Sequence, residues 1–378
     1  MNNGNYNNRN NNRNNNNTNF GYEPEIKRRY TPEEVGHDKF RKPVTRQHRK
    51  RHRRINVGIV LITVVFAVII GVCAYIITSG NRDDVVASIN GETTKEELTT
   101  PIETEPPKEI KVTVTDEEMH MGNLILVNYA YPYAFAESET SQIVTVASAK
   151  NDNYVVRDNT IQLRKSTIEI FNGMMDDMFA ATGFNSLQVN SAYRSYDDQV
   201  STYEYYKNAN GEQYAKDYVA NPGHSEHHTG LALDLNVNRN GAISYVESDT
   251  DCEWFRNNCN NYGFILRYKP EKYYITATKG ETWHYRYVGI PHAQIMTDLD
   301  LCLEEYTDYL KVYTTDTYVL TYDEGTINKV EYDPELDVDY MIYYVASQGE
   351  ETVITVPNFA EYEISGNNVD GYVVTVSK

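Results

Sequence analysis

Residues 57–77 run for 21 positions without a charge: Val-Gly-Ile-Val-Leu-Ile-Thr-Val-Val-Phe-Ala-Val-Ile-Ile-Gly-Val-Cys-Ala-Tyr-Ile-Ile. At the α-helical rise, such a run reaches about 30 Å, the thickness of a bilayer's hydrocarbon. A buried core helix is rarely apolar on every face for about six turns, as this run would be. It is too long and starts too late for a cleaved secretion signal. The sequence therefore predicts one membrane-spanning helix over 55–79, with Tyr75 as an interfacial anchor. Every other segment must lie on one side of the membrane or the other.

Charge sets the sides. Nine Lys and Arg and no acid fill 39–54, directly before the span, whereas the far side opens with Arg82 followed by Asp83 and Asp84. The positive-inside rule puts the N-terminus in the cytoplasm and the remainder outside. The net charge of −19 then separates into +9 over 1–79 and −28 over 80–378. The basic inner portion suits anionic lipid. The acidic outer portion lacks the basic footprint of a nucleic-acid binder. Nothing in the sequence points to a protein partner.

Thirteen of the first 19 residues are Asn, so 1–54 reads as a disordered cytoplasmic tail with too little apolar surface to fold. Thr, Glu and Pro dominate 80–117, which reads as a tether. Order is expected from 118. Ile168, Phe171, Met174, Met175, Met178 and Phe179 recur at helical spacing, and a second helix is expected from Asp197. Strands are expected at 124–128, 186–191, 231–237, 264–268 and 284–288, a helix over 252–262, and a last helix from Pro291 to about Leu310. Beyond that, β-branched and aromatic segments separated by turn residues predict a distinct all-β module over 311–378. Cys73 sits in the apolar run. Cys252 and Cys259 on one helix would lie about 10 Å apart, too far to bridge, so no structural disulfide is expected.

The chemistry concentrates in two places. Five of the nine His lie between 224 and 292. Three of them fall within Pro222-Gly-His-Ser-Glu-His-His-Thr-Gly-Leu-Ala-Leu-Asp234, and a fourth within Glu281-Thr-Trp-His-Tyr-Arg-Tyr-Val-Gly289. Imidazole and carboxylate are the usual zinc donors outside thiolate sites. Two His and one carboxylate leave a position open, where zinc brings the pKa of water to about 7. A second carboxylate can then accept a proton. Asp234, set between Leu233 and Leu235, is costly to bury without a partner. Which His is a ligand stays open at this level. In one regular strand His228 shares a face with Asp234 and His227 points away, and only a break at Gly230 would bring His227 round.

Ser191-Ala-Tyr-Arg-Ser195, together with the two segments above in this order, resembles the VanY-type zinc D-alanyl-D-alanine carboxypeptidases. These belong to a wider group of peptidoglycan metallopeptidases that includes L,D-carboxypeptidases. The likeness covers about 118–310. It implies an α+β fold: a small zinc-peptidase domain with a central antiparallel sheet and flanking helices. To this the rest of the chain adds the transmembrane helix and the small all-β C-terminal module. The resemblance implies one Zn2+ per chain, held by His227, Asp234 and His284, in place of the parity reading for His228. It implies Glu281 as general base and Arg194 as the cation for an oxyanion or a substrate carboxylate. Gln199, Ser225 and Tyr268 would line the substrate's terminal residue. Where the family commonly has Pro, this chain has Thr282, which frees one torsion and removes no ligand. The implied function is removal of the C-terminal D-alanine from peptidoglycan stem peptides, in cell-wall remodelling or glycopeptide resistance. The alternatives are L,D-carboxypeptidase action on tetrapeptide stems, and a non-catalytic wall-binding protein of the same fold.

Overall fold

Leu231, Leu233, Leu235 and Val237 alternate with Ala232, Asp234 and Asn236, which gives one strand an apolar face and a polar face. The computed structural model describes residues 107–378, where this strand, Ala232–Arg239, lies in the middle of a six-stranded sheet. The order is Val155–Val156, Leu187–Ser191, Ala232–Arg239, Glu281–Tyr287, Phe264–Tyr268, with Ala242–Ser244 folded back on Ala232–Arg239. Pairing is antiparallel except at the Val155–Val156 edge, which is parallel. The tail 1–54, the span 55–79 and the tether up to residue 106 lie outside the described residues. Among the described residues, no helix is long and apolar enough to cross a membrane.

The apolar face is covered by the helix Lys165–Thr182. Its stripe of Ile168, Phe171, Met174, Met175 and Met178 is buried against Leu187, Val189, Leu233, Leu235, Val237 and Phe264. Each such side chain contributes about 1.5–3 kcal/mol by leaving water. Gly183 ends the helix with φ 73°, the left-handed geometry that glycine adopts without a Cβ clash. The opposite face carries Asp234, Asn236, Arg267, His284 and Arg286 beside the smaller apolar patch of Ala232 and Ile265.

The 3.6 and 2.0 periodicities place most expected elements, but four expectations change. The tether drawn to 117 ends earlier: Glu109–Thr115 is a strand, paired antiparallel with Glu351–Pro357 from Glu109↔Pro357 to Thr115↔Glu351. Residues 124–128 are buried but form no strand. Their backbone groups bond elsewhere: Leu126 N–H donates to the Asn367 carbonyl (3.0 Å), Asn368 Nδ2 to the Leu126 carbonyl (2.8 Å), and Arg286 to the Ile125 carbonyl (3.1 Å). Two side chains and one isolated backbone bond have taken the place of a ladder. The last helix is two helices, His292–Asp298 and Leu303–Leu310. Asp300, at φ 54°, turns the chain between them.

The fourth change concerns the C-terminal region. Its five-stranded sheet, in the order Thr326–Val330, Val319–Asp323, Tyr340–Ala346, Gly371–Ser377, Glu361–Gly366, is β as expected. It is not packed apart, however. Leu320, Ile342 and Val373 share one buried cluster with Leu124, Leu126, Ile265 and Val288 of the peptidase part. His120, His224 and His292, for which the sequence offered no partner, are structural. They bond Asn368 Oδ1 (2.6 Å), the Asn128 carbonyl (2.8 Å), and Tyr306 and Thr375 hydroxyls (both 2.8 Å). Cys252, Cys259 and Cys302 are buried thiols.

The shared cluster makes a prediction. Deleting 311–378 strips the cover from Leu124, Leu126 and Val288, so the truncated chain should aggregate or unfold at distinctly lower urea than the intact one. An unchanged urea midpoint would show the β region to be independent.

Candidate active site

The register of the central sheet builds the site. Asp234 stands directly opposite His284, on the polar face of adjacent antiparallel strands. Such cross-strand neighbours have Cβ atoms about 5 Å apart, and here His284 Nδ1 lies 3.1 Å from Asp234 Oδ1. Ser191 pairs with the other side of Asp234 after a bulge in its strand, and Tyr268 pairs with Glu281 after another. Bulges re-aim side chains beside functional sites.

His227 arrives by a break in the chain. Residues Glu226–Thr229 form one turn of 3-10 helix, capped at its start by Ser225 Oγ and ended by Gly230 at φ 66°. A Cβ on Gly230 would lie 2.5 Å from Ile143 Cδ1 and 3.1 Å from the Arg164 nitrogen. The parity reading assumed a continuous strand, and this turn is why it does not hold. His227 Nε2 lies 3.3 Å from Asp234 Oδ2. His228 points the other way. Its Nδ1 bonds the Arg194 carbonyl (2.7 Å), its Nε2 accepts from Gly223 N–H (3.1 Å), and its ring packs on Phe135 and Tyr196.

The donor atoms suit a metal ion. His227, Asp234 and His284 each offer one ligand atom, all within 4.8 Å of one another. Donors about 2.0–2.1 Å from a tetrahedral zinc stand roughly 3.3 Å apart, and each imidazole lies at such a distance from one Asp234 oxygen, His284 Nδ1 at 3.1 Å from Oδ1 and His227 Nε2 at 3.3 Å from Oδ2. His227 Nδ1 is occupied by the Ala192 carbonyl (2.5 Å), which leaves Nε2 for the site. Burial pushes the His227 imidazole down to about 4, so it is neutral near pH 7. Burial pushes the Asp234 carboxyl up, but His227 and His284 outweigh it and hold the carboxyl well below the usual range. Burial lowers His284, and its hydrogen bonds to Asp234 and Glu226 reverse this and raise it to about 9 without a metal.

Glu281, one strand end away from Asp234, is buried, with Oε2 3.7 Å from His284 Nδ1. Burial raises its carboxyl to about 8. Arg194 donates from Nη1 to Gln199 Oε1 (2.8 Å) and from Nη2 to Asp234 Oδ2 (3.5 Å). Its buried Nε has no partner among the described residues. Gln199 is fully buried, accepts from Arg194 and donates to the Ala220 carbonyl (2.7 Å). It stands behind the arginine and does not line the cleft. Ser225 and Tyr268 do line it, along with Arg194, Glu281 and Trp283, in a cavity of about 650 Å³. Thr282 lies inside the Glu281–Tyr287 strand, where extended backbone needs no proline.

One residue escaped the sequence reading. Glu226 is 0 % exposed at its side chain and is paired with Arg267 (2.7 Å), Arg286 (3.1 Å) and His284 (3.3 Å). Arg267 also makes a two-pronged bond to Glu304 (2.7 and 2.8 Å). Burial pushes the Glu226 carboxyl up, and the two guanidiniums outweigh that and hold it ionised. Part of the signal was available: Arg267 sits in the apolar strand Phe-Ile-Leu-Arg-Tyr, and an arginine buried there needs a carboxylate.

Residues 160–290 match the VanY family, described as D-alanyl-D-alanine carboxypeptidase. A D-alanyl-D-alanine carboxypeptidase of Enterococcus faecium is 34% identical over 266 residues, which covers 70% of this chain and 78% of that protein. The bifunctional D-Ala-D-Ala dipeptidase and D-Ala-D-Ala carboxypeptidase VanXYC of Enterococcus gallinarum is 40% identical over 200 residues, 50% of this chain and 96% of its own length. Among solved structures, the vancomycin resistance D,D-dipeptidase VanXYg in complex with a D-Ala-D-Ala phosphinate analog is similar, with a TM-score of 0.60 and 33% identity. The match covers 71% of this chain and 99% of that one.

Three substitutions test the turn. Gly230→Ala should cost at least about 1–2 kcal/mol in unfolding free energy, because it forces a side chain into left-handed backbone. His227→Gln should abolish Zn2+ binding in equilibrium dialysis, whereas His228→Gln should retain it. The reverse pattern would restore the strand-parity assignment.

Proposed function

The chain belongs to the VanY-type D-alanyl-D-alanine carboxypeptidases, a family of peptidoglycan metallopeptidases, and from that membership we propose that its site removes the C-terminal D-alanine of pentapeptide stems. The observation that carries the reading is the convergence of His227, Asp234 and His284 beside the buried Glu281. These three residues would hold one zinc ion. Zinc, when bound, supplies a Lewis acid that polarises the scissile carbonyl and acidifies water. Glu281 takes the proton of the attacking water and hands it to the amine of the departing D-alanine, so one residue is base and then acid. Its burial suits this, since a carboxylate in an apolar setting gains basicity.

Arg194 presents a cation to the substrate, and Gln199 holds it in place. Arg194 lines the cleft, where its guanidinium suits a carboxylate or an oxyanion. A terminal carboxylate recognised in this way gives an exopeptidase a physical reason to act at chain ends. Ser225 and Tyr268 shape the cleft around the terminal residue, and the Tyr268 ring stands 4.9 Å from that of His284.

We further place the peptidase outside the membrane, anchored by the span 55–79 with the N-terminus inside. The support is the +9 and −28 division of charge about that span. Added protease should reach the described domain on intact protoplasts. Protection until the membrane is lysed would reverse the orientation.

The mechanism is tested by D-alanine release from pentapeptide and tetrapeptide stems. Glu281→Gln should lower kcat by about 10²–10⁴-fold while the protein still binds zinc, and a chelator should abolish turnover until zinc is restored. Turnover unaffected by Glu281→Gln would refute the assignment. Release from tetrapeptides alone would make this an L,D-carboxypeptidase. Arg194→Met should raise KM if the guanidinium holds the terminal carboxylate, and lower kcat if it serves the oxyanion.

A further inference from the structure

We propose that Glu226 is a positioning residue for the metal centre, which fixes the tautomer and orientation of His284 and makes it the stronger of the two imidazole donors. The inference rests on the reading of His284 as a metal ligand. An imidazole can offer only one nitrogen lone pair to a metal, and the other nitrogen must carry the proton. His284 Nδ1 is the atom turned toward Asp234, at 3.1 Å. The proton therefore belongs on Nε2, where Glu226 Oε2, at 3.3 Å, accepts it. A carboxylate has no proton to give when ionised, so it enforces this tautomer.

The bland account is that Glu226 merely neutralises two buried arginines. The charges argue otherwise. Arg267 and Arg286 are balanced by Glu226 and Glu304 without any contribution from His284. The contacts divide in the same way. Glu226 Oε1 takes the arginine contacts, to Arg267 Nε at 2.7 Å and to Arg286 Nη1 at 3.1 Å. Oε2 faces the imidazole. Glu226 cannot swing away, because its side chain is fully enclosed and Arg267 is itself clamped by Glu304 and stacked 4.8 Å over the Tyr268 ring.

The other histidine lacks this support. His227 Nδ1 meets a neutral carbonyl, that of Ala192. A carboxylate acceptor raises ligand basicity more than a carbonyl does, and partners of this kind typically carry 10–100-fold in metal affinity. The site is thus asymmetric in its support as well as in its ligands.

The test uses the full chain with histidine-selective ¹⁵N labelling. Zn2+ affinity is measured by competition with a chromogenic chelator, apo-protein stability by urea unfolding, and the His284 Nε2 proton by NMR of the zinc-loaded protein. Glu226→Ala should weaken zinc binding about 10–100-fold and expose the Nε2 proton to exchange, with kcat at saturating zinc changing less than the affinity. Glu226→Gln removes the charge and keeps the shape, so it covers the case in which Glu226→Ala fails to fold. It should weaken zinc binding measurably and shift the Nε2 proton. Loss of apo stability in either folded variant, with zinc affinity and the Nε2 signal unchanged, would overturn the proposal and leave Glu226 a structural ion-pair partner. Failure of the wild-type chain to bind zinc would instead refute the metallopeptidase reading, so the two failures can be told apart.

Discussion

The pairing of Asp234 with His284 across two antiparallel strands is the constraint on which the rest of the site depends. A slip of either strand by one residue would turn its own member of the pair into the apolar core, because the side-chain period of a strand is two. The core prevents that slip. Leu233, Leu235 and Val237 on one strand and Tyr285 and Tyr287 on its neighbour must face the helix Lys165–Thr182. The hydrophobic packing of one face thus sets the chemistry of the other.

Around this pair the protein places charge in a layered way. Asp234 and His284 face the cleft, Glu226 lies behind His284, Arg267 and Arg286 flank Glu226, and Glu304 closes the set from the helix Leu303–Leu310. Buried ions of one sign alone would be prohibitively costly, and alternating signs at hydrogen-bond distance offset that cost. Arg286 extends the arrangement outward, since it also donates to the carbonyls of Asn123 and Ile125. That segment is held in turn by Ser365, Asn367 and Asn368 of the C-terminal sheet. The β region is therefore bonded, through a short series of contacts, to the residues that support the metal centre.

Legibility differed by residue for physical reasons. His284, Asp234 and Glu281 lie on regular strands or at a strand end, so motif and period located them together. The helix Lys165–Thr182 was visible because its apolar stripe has a single period. The strand Glu109–Thr115 was not, because its alternation of Ile110, Val112 and Val114 with polar residues is short and adjoins a Thr-, Glu- and Pro-rich stretch, and its partner lies at Glu351–Pro357, far along the chain. Gln199 was read as a substrate contact, and the fold turns it behind Arg194, where it orients the guanidinium.

The sequence by itself determined the composition of the site: which imidazoles and carboxylates are near one another in the chain, which residues form the core face, and where an uncharged run long enough for a membrane lies. Those properties are local, written in spacing and polarity over a few tens of residues. Only the tertiary structure decided between His227 and His228, because the answer lies in a left-handed residue at Gly230 that breaks the strand. Only the fold revealed Glu226 as a support for His284, since its partners Arg267 and Arg286 come from two other strands and Glu304, which clamps Arg267, from a helix. Such groups converge through packing over long sequence separations, and no periodicity in the chain records it.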